Sequence, residues 1–221
     1  MVVGGLARIA ARAVKNTPRL TDPPISQTTQ RSNTTPTYER AASILNEINP
    51  KGKTLDYGAG LGIGSKKIKA DSFEPFPQKD FEPNFTQSRD IPTESYEKVV
   101  NLNVLNVLEK SDRDAAIQEI GRILKPNGSA IITTRGKDVL DAAGKEGPEP
   151  MSIITKKGTY QKGFTIPELV NYVQNILGND FSVTQVRNLG KAAVKIQKKI
   201  KKYSGGMIMR SPYSNYKPKA I

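Results

Sequence analysis

Lys53-Thr54-Leu55-Asp56-Tyr57-Gly58-Ala59-Gly60-Leu61-Gly62-Ile63-Gly64-Ser65 reads as a short apolar strand running into a glycine-dense turn. Glycine adopts positive φ at little cost, so such a turn lets backbone pass close to a ligand. The next strand ends in an acidic tip, Ala70-Asp71-Ser72-Phe73-Glu74. A parallel α/β sheet uses this pairing to hold an adenosine-bearing ligand, with the carboxylate taking the ribose hydroxyls.

Two rival glycine motifs fail letter by letter. A dinucleotide fingerprint requires Gly-x-Gly-x-x-Gly/Ala, the third small residue permitting close helix-strand packing. Here the third position is Ile63, Ser65 or Lys67, according to which glycine pair starts the count. A P-loop requires Gly-Lys-Ser/Thr, and the chain has Gly64-Ser65-Lys66-Lys67. Neither pattern fits.

Asp-x-Gly-x-Gly-x-Gly at Asp56, Gly58, Gly60 and Gly62 does fit a third pattern. It resembles the first motif of class I S-adenosylmethionine-dependent methyltransferases. Further parts follow in that family's order, over about Tyr38 to Lys198. Ser95 to Val100, then Asn101 to Leu108, resemble its fourth strand and the segment facing the cofactor. Arg113 to Leu124 places Ala116, Ile117, Ile120, Ile123 and Leu124 on one helical face. Lys125-Pro126-Asn127-Gly128 should stop that helix, and Ser129 to Thr134 should be the next strand. A closer resemblance is to small methyltransferase-like proteins of bacteriophages and mobile elements. It rests on the runs 101–108, 147–154 and 159–165.

The expected fold is therefore α/β and Rossmann-like: a doubly wound, mostly parallel sheet with a closing antiparallel hairpin. Tyr38 to Ile48 should be a covering helix that buries Ala41, Ile44, Leu45 and Ile48. The layout should be reduced between the second and third strands. Pro77 and Pro83 deny Phe76 to Phe85 an uninterrupted helix, leaving the third strand short or absent. Arg135 to Phe164 reads as a long loop of the lid or binding kind. Pro167 to Leu177 reads as the last helix, with Phe181 to Val186 and Ala192 to Gln197 as the hairpin.

With 221 residues, the chain divides into a basic N-terminal segment and linker (1–37), one methyltransferase-like domain (38–198) and a basic tail (199–221). The net charge of +13 is concentrated at the ends. Residues 1–37 hold five basic residues and one acidic, and 181–221 hold ten basic and none acidic. Such ends are either solvated tails or docking elements for nucleic acid, an anionic membrane surface or a protein. Leu6, Ile9, Ala10 and Ala13 share a helical face opposite Arg8, Arg12 and Lys15, as in an organelle presequence or a docking helix. The chain has no cysteine and no histidine, which removes thiolate chemistry and the commonest general base and metal ligand. No metal site is expected, and no apolar run approaches the ~20 residues that span a bilayer.

The resemblance implies S-adenosylmethionine as cofactor, with Asp56, Gly58, Gly60, Gly62, Glu74, Asp90 and Asn101 as its binding residues. Asp56 either ties down the turn as a buried carboxylate or reaches the amino-acid end of the cofactor. Glu74, 18 residues later, is either the ribose ligand or a plain surface glutamate, and the strand-end position and spacing favour the ribose role. Asp90 or Ser88 takes the adenine amino group. Asn101, Asn103 and Asn106 either orient an amine or amide nucleophile or cap the strand-helix junction. Tyr160 and Lys162 are conceivable bases. The place after the fourth strand lacks the Pro-Pro of DNA amino-methyltransferases, and C5-cytosine transfer would need a cysteine. The expected activity is methyl transfer to a nitrogen or oxygen nucleophile, with residence in the cytoplasm of a host cell or in a virion. The alternative is a methyltransferase fold without turnover, serving as a virion or interaction module docked through its basic termini onto nucleic acid or a virion protein.

Overall fold

The computed structural model describes residues 36–78 and 80–200. Residues 1–35, with the amphipathic stretch from Leu6 to Ala13, and residues 201–221 lie outside these residues. Four strands form the parallel heart of the sheet: β1 (Thr54–Tyr57), β2 (Asp71–Phe73), β3 (Tyr96–Leu102) and β4 (Leu124–Thr134). The strands β8 (Phe181–Gln185) and β9 (Ala192–Lys198) add an antiparallel hairpin, giving the order β2-β1-β3-β4-β9-β8. The fold is α/β and Rossmann-like, as the resemblance implied. β3 is buried along most of its length, the signature of a strand covered on both faces.

Each face has its own cover. On one, α1 (Pro36–Ile48) buries Ala41 and Leu45 against Val100, Leu102 and Ile131. Ile44 packs there while partly buried, whereas Ile48, expected in the same stripe, is half-buried and outside this cluster. On the other, α3 (Lys110–Ile123) contributes Ala116, Ile117, Ile120 and Ile123. They pack with Leu169 and Val173 of α4 (Ile166–Leu177). That helix starts at a capping box, in which the Thr165 hydroxyl accepts from the Glu168 amide and Glu168 accepts from the Thr165 amide.

The third strand of the expected layout is reduced to one bridge. Phe85 pairs with Phe73 in parallel, its amide donating to Ser72 at 3.0 Å while Glu74 donates back at 3.1 Å. The Asn84 side chain accepts from the Ser72 amide at 2.8 Å and seals the edge. After α3, Leu124 already lies opposite Tyr96, and pairing resumes at Ser129 opposite Lys98. The expected turn Lys125–Gly128 is therefore a bulge within β4, with Asn127 at φ +63°.

One expectation needs correction. Residues 135–164 are not a plain loop. They fold into a 3-10 turn (Lys137–Asp141) and a small antiparallel sheet of β5 (Gly144–Glu146), β6 (Ser152–Thr155) and β7 (Tyr160–Lys162). Strands of three or four residues are too short to show an alternating pattern. What stabilises them lies elsewhere in the fold.

Candidate functional site

At the carboxyl end of β1 the strand's alternation sends neighbouring side chains to opposite faces. Asp56 is fully buried, where it accepts from the Ser65 hydroxyl at 2.8 Å and faces the Tyr38 hydroxyl at 3.5 Å. Tyr57 packs on the other face against Phe73, with ring centroids 4.5 Å apart. The turn then wraps onto β2, as the Gly58 and Ala59 amides both donate to the Phe73 carbonyl. Gly58, Gly60 and Gly62 all hold positive φ, at +95°, +60° and +70°.

Two of these glycines sit against protein groups. A Cβ at Gly58 would lie 2.5 Å from Val104, in the segment after β3. A Cβ at Gly62 would lie 2.0 Å from the Phe81 ring. Gly62 also caps α2 (Ile63–Ile68), whose Ser65 reaches back to Asp56.

Glu74 is brought to the same turn. Its carboxylate accepts from the Gly60 amide at 2.7 Å and the Phe76 amide at 3.1 Å, and the residue is only 6% exposed. Burial raises its pKa, while the two amide bonds oppose that rise. Each carboxylate oxygen has a second lone pair, so two further donors can be accepted. Asn101, fully buried, donates from Nδ2 to the Tyr57 carbonyl at 2.8 Å and ties β3 to β1 just below the turn. Its Oδ1 is buried without a partner.

Asp90 is not gathered to this place. It is exposed in a 3-10 turn, Ser88–Asp90, held to α3 by Arg122 through the Ser88 carbonyl at 3.0 Å. Ser88 itself is engaged with Tyr57 and Glu119. Tyr160 and Lys162 are likewise committed. The Tyr160 hydroxyl donates to Glu149, and buried Lys162 donates to the Gly163 carbonyl and to Glu168, both at 2.8 Å. Asn103 sits at φ +58°, and its backbone N–H donates to the Thr133 carbonyl at 2.9 Å.

Sequence reading missed Tyr38, Ser65 and Val104. Ser65, directly after the glycine run, was the one with a local signal. Among the described residues no group of side chains could hold a metal ion, and no helix is long and apolar enough to cross a membrane.

Burial pushes the Asp56 carboxyl up to about 7, against the pull of its Ser65 and Tyr38 hydrogen bonds. The folded protein thus binds a proton that the unfolded chain releases near pH 4. This contribution to stability is full below pH 4 and is lost as pH rises toward 7. Asp56→Asn should remove that loss. The difference in urea midpoint between wild type and variant should shift steadily in favour of the variant from pH 4 to 7. A pH-independent difference would contradict it.

No family model matches the sequence, and no curated protein does. Solved structures do match in shape. One is the 1,6-didemethyltoxoflavin-N1-methyltransferase of Burkholderia thailandensis, solved with bound 1,6-didemethyltoxoflavin and S-adenosylhomocysteine. It is 16% identical, covers 74% of this chain and 78% of its own, and has a TM-score of 0.50. The PH0226 protein of Pyrococcus horikoshii OT3 is 14% identical, with coverages of 79% and 96% and a TM-score of 0.56. The sugar N-methyltransferase KedS8 of Streptoalloteichus sp ATCC 53650 is 11% identical, with coverages of 74% and 87% and a TM-score of 0.52. The chain shares its fold with these three proteins.

Proposed function

We propose that the protein is an S-adenosylmethionine-dependent methyltransferase acting on a nitrogen or oxygen nucleophile. One observation carries the reading. Glu74, at the carboxyl end of β2, is buried against the Gly60 amide with lone pairs left for two hydroxyls. The residues fit the cofactor. A carboxylate stands where a ribose needs an acceptor, a positive-φ turn lies beside it, and Asn101 Oδ1 is a buried acceptor awaiting a donor. The likeness to a fold solved with S-adenosylhomocysteine supports the same ligand here.

S-adenosylmethionine held by Glu74 and the glycine turn would supply an electrophilic methyl on a sulfonium, a group already activated for transfer. The protein's task is alignment and exclusion of water. The test is titration calorimetry with S-adenosylmethionine and S-adenosylhomocysteine, where micromolar binding is expected. No heat with either ligand would overturn the proposal. It would leave standing the fold without turnover, a reading that draws on the single-bridge third strand.

The runs 101–108, 147–154 and 159–165 support a source in a bacteriophage or mobile element, with action in the host cytoplasm or in a virion. The division into 1–37, 38–198 and 199–221 belongs to the same proposal, and α1 begins at Pro36, two residues ahead of that boundary. For the basic ends the proposed partner is a polyanion. DNA binding by the full chain should weaken steeply with added salt, and a flat salt response would remove that partner.

A further inference from the structure

Five buried polar side-chain atoms among the described residues lack a hydrogen-bond partner. Three of them, Asn101 Oδ1, Asn106 Oδ1 and Thr134 Oγ1, lie at or just past the carboxyl ends of β3 and β4, and the other two are Arg113 Nε and Ser129 Oγ. Buried acceptors are normally satisfied, so a cluster of unsatisfied ones in a fold's ligand-binding edge points to a ligand that donates. Asn101 is the next-to-last residue of β3, and Thr134 is the last of its parallel neighbour β4. Asn106 lies in the 3-10 turn Leu105–Val107, two residues past Val104, the side chain that meets the glycine turn at Gly58.

Asn106 is 3% exposed and held by one contact, its Nδ2 donating to Gln161 Oε1 at 3.0 Å. Gln161 comes from β7 of the small sheet, 55 residues along the chain. That bond uses the amide nitrogen and leaves the oxygen as the free end. An amide oxygen accepts hydrogen bonds but takes no proton at neutral pH, so it suits a nucleophile that needs no base. A neutral amine has its lone pair available and an N–H to spare. A hydroxyl would have to lose its proton, yet Tyr160 and Lys162, the bases near this strand, are spent on Glu149 and Glu168.

Building on the methyltransferase reading, we infer that Asn106 contacts the methyl acceptor and selects a neutral amine or amino group, whose N–H donates to its Oδ1. Gln161 is a positioning residue that sets the Asn106 amide. The small sheet thereby enters substrate choice through β7.

The test needs no knowledge of the natural acceptor. Sinefungin carries C–NH3+ where the cofactor carries S–CH3, and S-adenosylhomocysteine has no group there. Titration calorimetry gives the ratio of their affinities, which reads acceptors facing the methyl position. Wild type should prefer sinefungin, and Asn106→Leu should cut that preference about tenfold, as loss of one charge-assisted bond implies. Gln161→Leu should lower it by less, and Asn106→Asp should raise it. An unchanged ratio in folded Asn106→Leu overturns the inference and leaves the methyltransferase reading intact. Should that variant fail to fold, an unchanged or lowered ratio in Asn106→Asp overturns it equally. No binding of either ligand by the wild type removes both.

Discussion

Glu74→Ala should weaken S-adenosylhomocysteine binding by about 100-fold or more in calorimetry, the loss of two charge-assisted hydrogen bonds. The expectation rests on where the carboxylate already is. The Gly60 and Phe76 amides hold it in place, so little ordering remains when a ribose arrives. Glu74→Gln keeps the reach and loses the charge, and should fall between wild type and alanine. If Glu74 served only to brace the turn, the variants would lower the melting temperature while a folded protein still bound the ligand normally. Unchanged affinity in folded Glu74→Ala would remove the ribose role.

Arg113→Met should destabilise the fold by about 3 kcal/mol, the low end for breaking a buried ion pair because the carboxylate partner retains some solvent contact. Arg113 is fully buried, with its guanidinium donating to both Glu149 oxygens, at 3.2 and 2.6 Å, and to the Leu108 carbonyl at 3.1 Å. The Phe164 and Tyr172 rings lie 5.3 and 5.4 Å from it. One side chain thus ties α3 to the small sheet and to α4. Against the cost of burial, the bonds from Arg113 and Tyr160 keep Glu149 below the ordinary carboxylate range.

Removing the cation leaves the partly buried Glu149 carboxylate without its charged partner. Removing both charges does not, so Arg113→Met with Glu149→Met should return to within about 1 kcal/mol of wild type in urea unfolding. Purely additive losses would show that the pair is uncoupled. The small sheet should also feel the single change, as faster amide exchange at Ser152 to Thr155.

The glycine turn, the acidic tip of β2, the stripes of α1 and α3 and the closing hairpin were legible because each is a local pattern. Strand periodicity, helical spacing and turn chemistry act over a few residues, and a single stretch displays them whole. Pro77 and Pro83 announced the missing third strand for the same reason. The small sheet was not legible. Its strands are too short to display a period, and Arg113 and Glu149, which anchor it, are 36 residues apart.

Local order in the chain therefore determined the sheet, its covering helices and the glycine turn with its neighbouring acidic tip, the place proposed for an adenosine-bearing ligand. The tertiary structure alone decided which polar groups are spent and which remain. It withdrew Tyr160 and Lys162, left Asp90 in solvent, and set Asn106 under Gln161 with its oxygen unpaired. Hydrogen-bond satisfaction in a buried place depends on partners folded in from distant stretches, and no short-range pattern of residues records them.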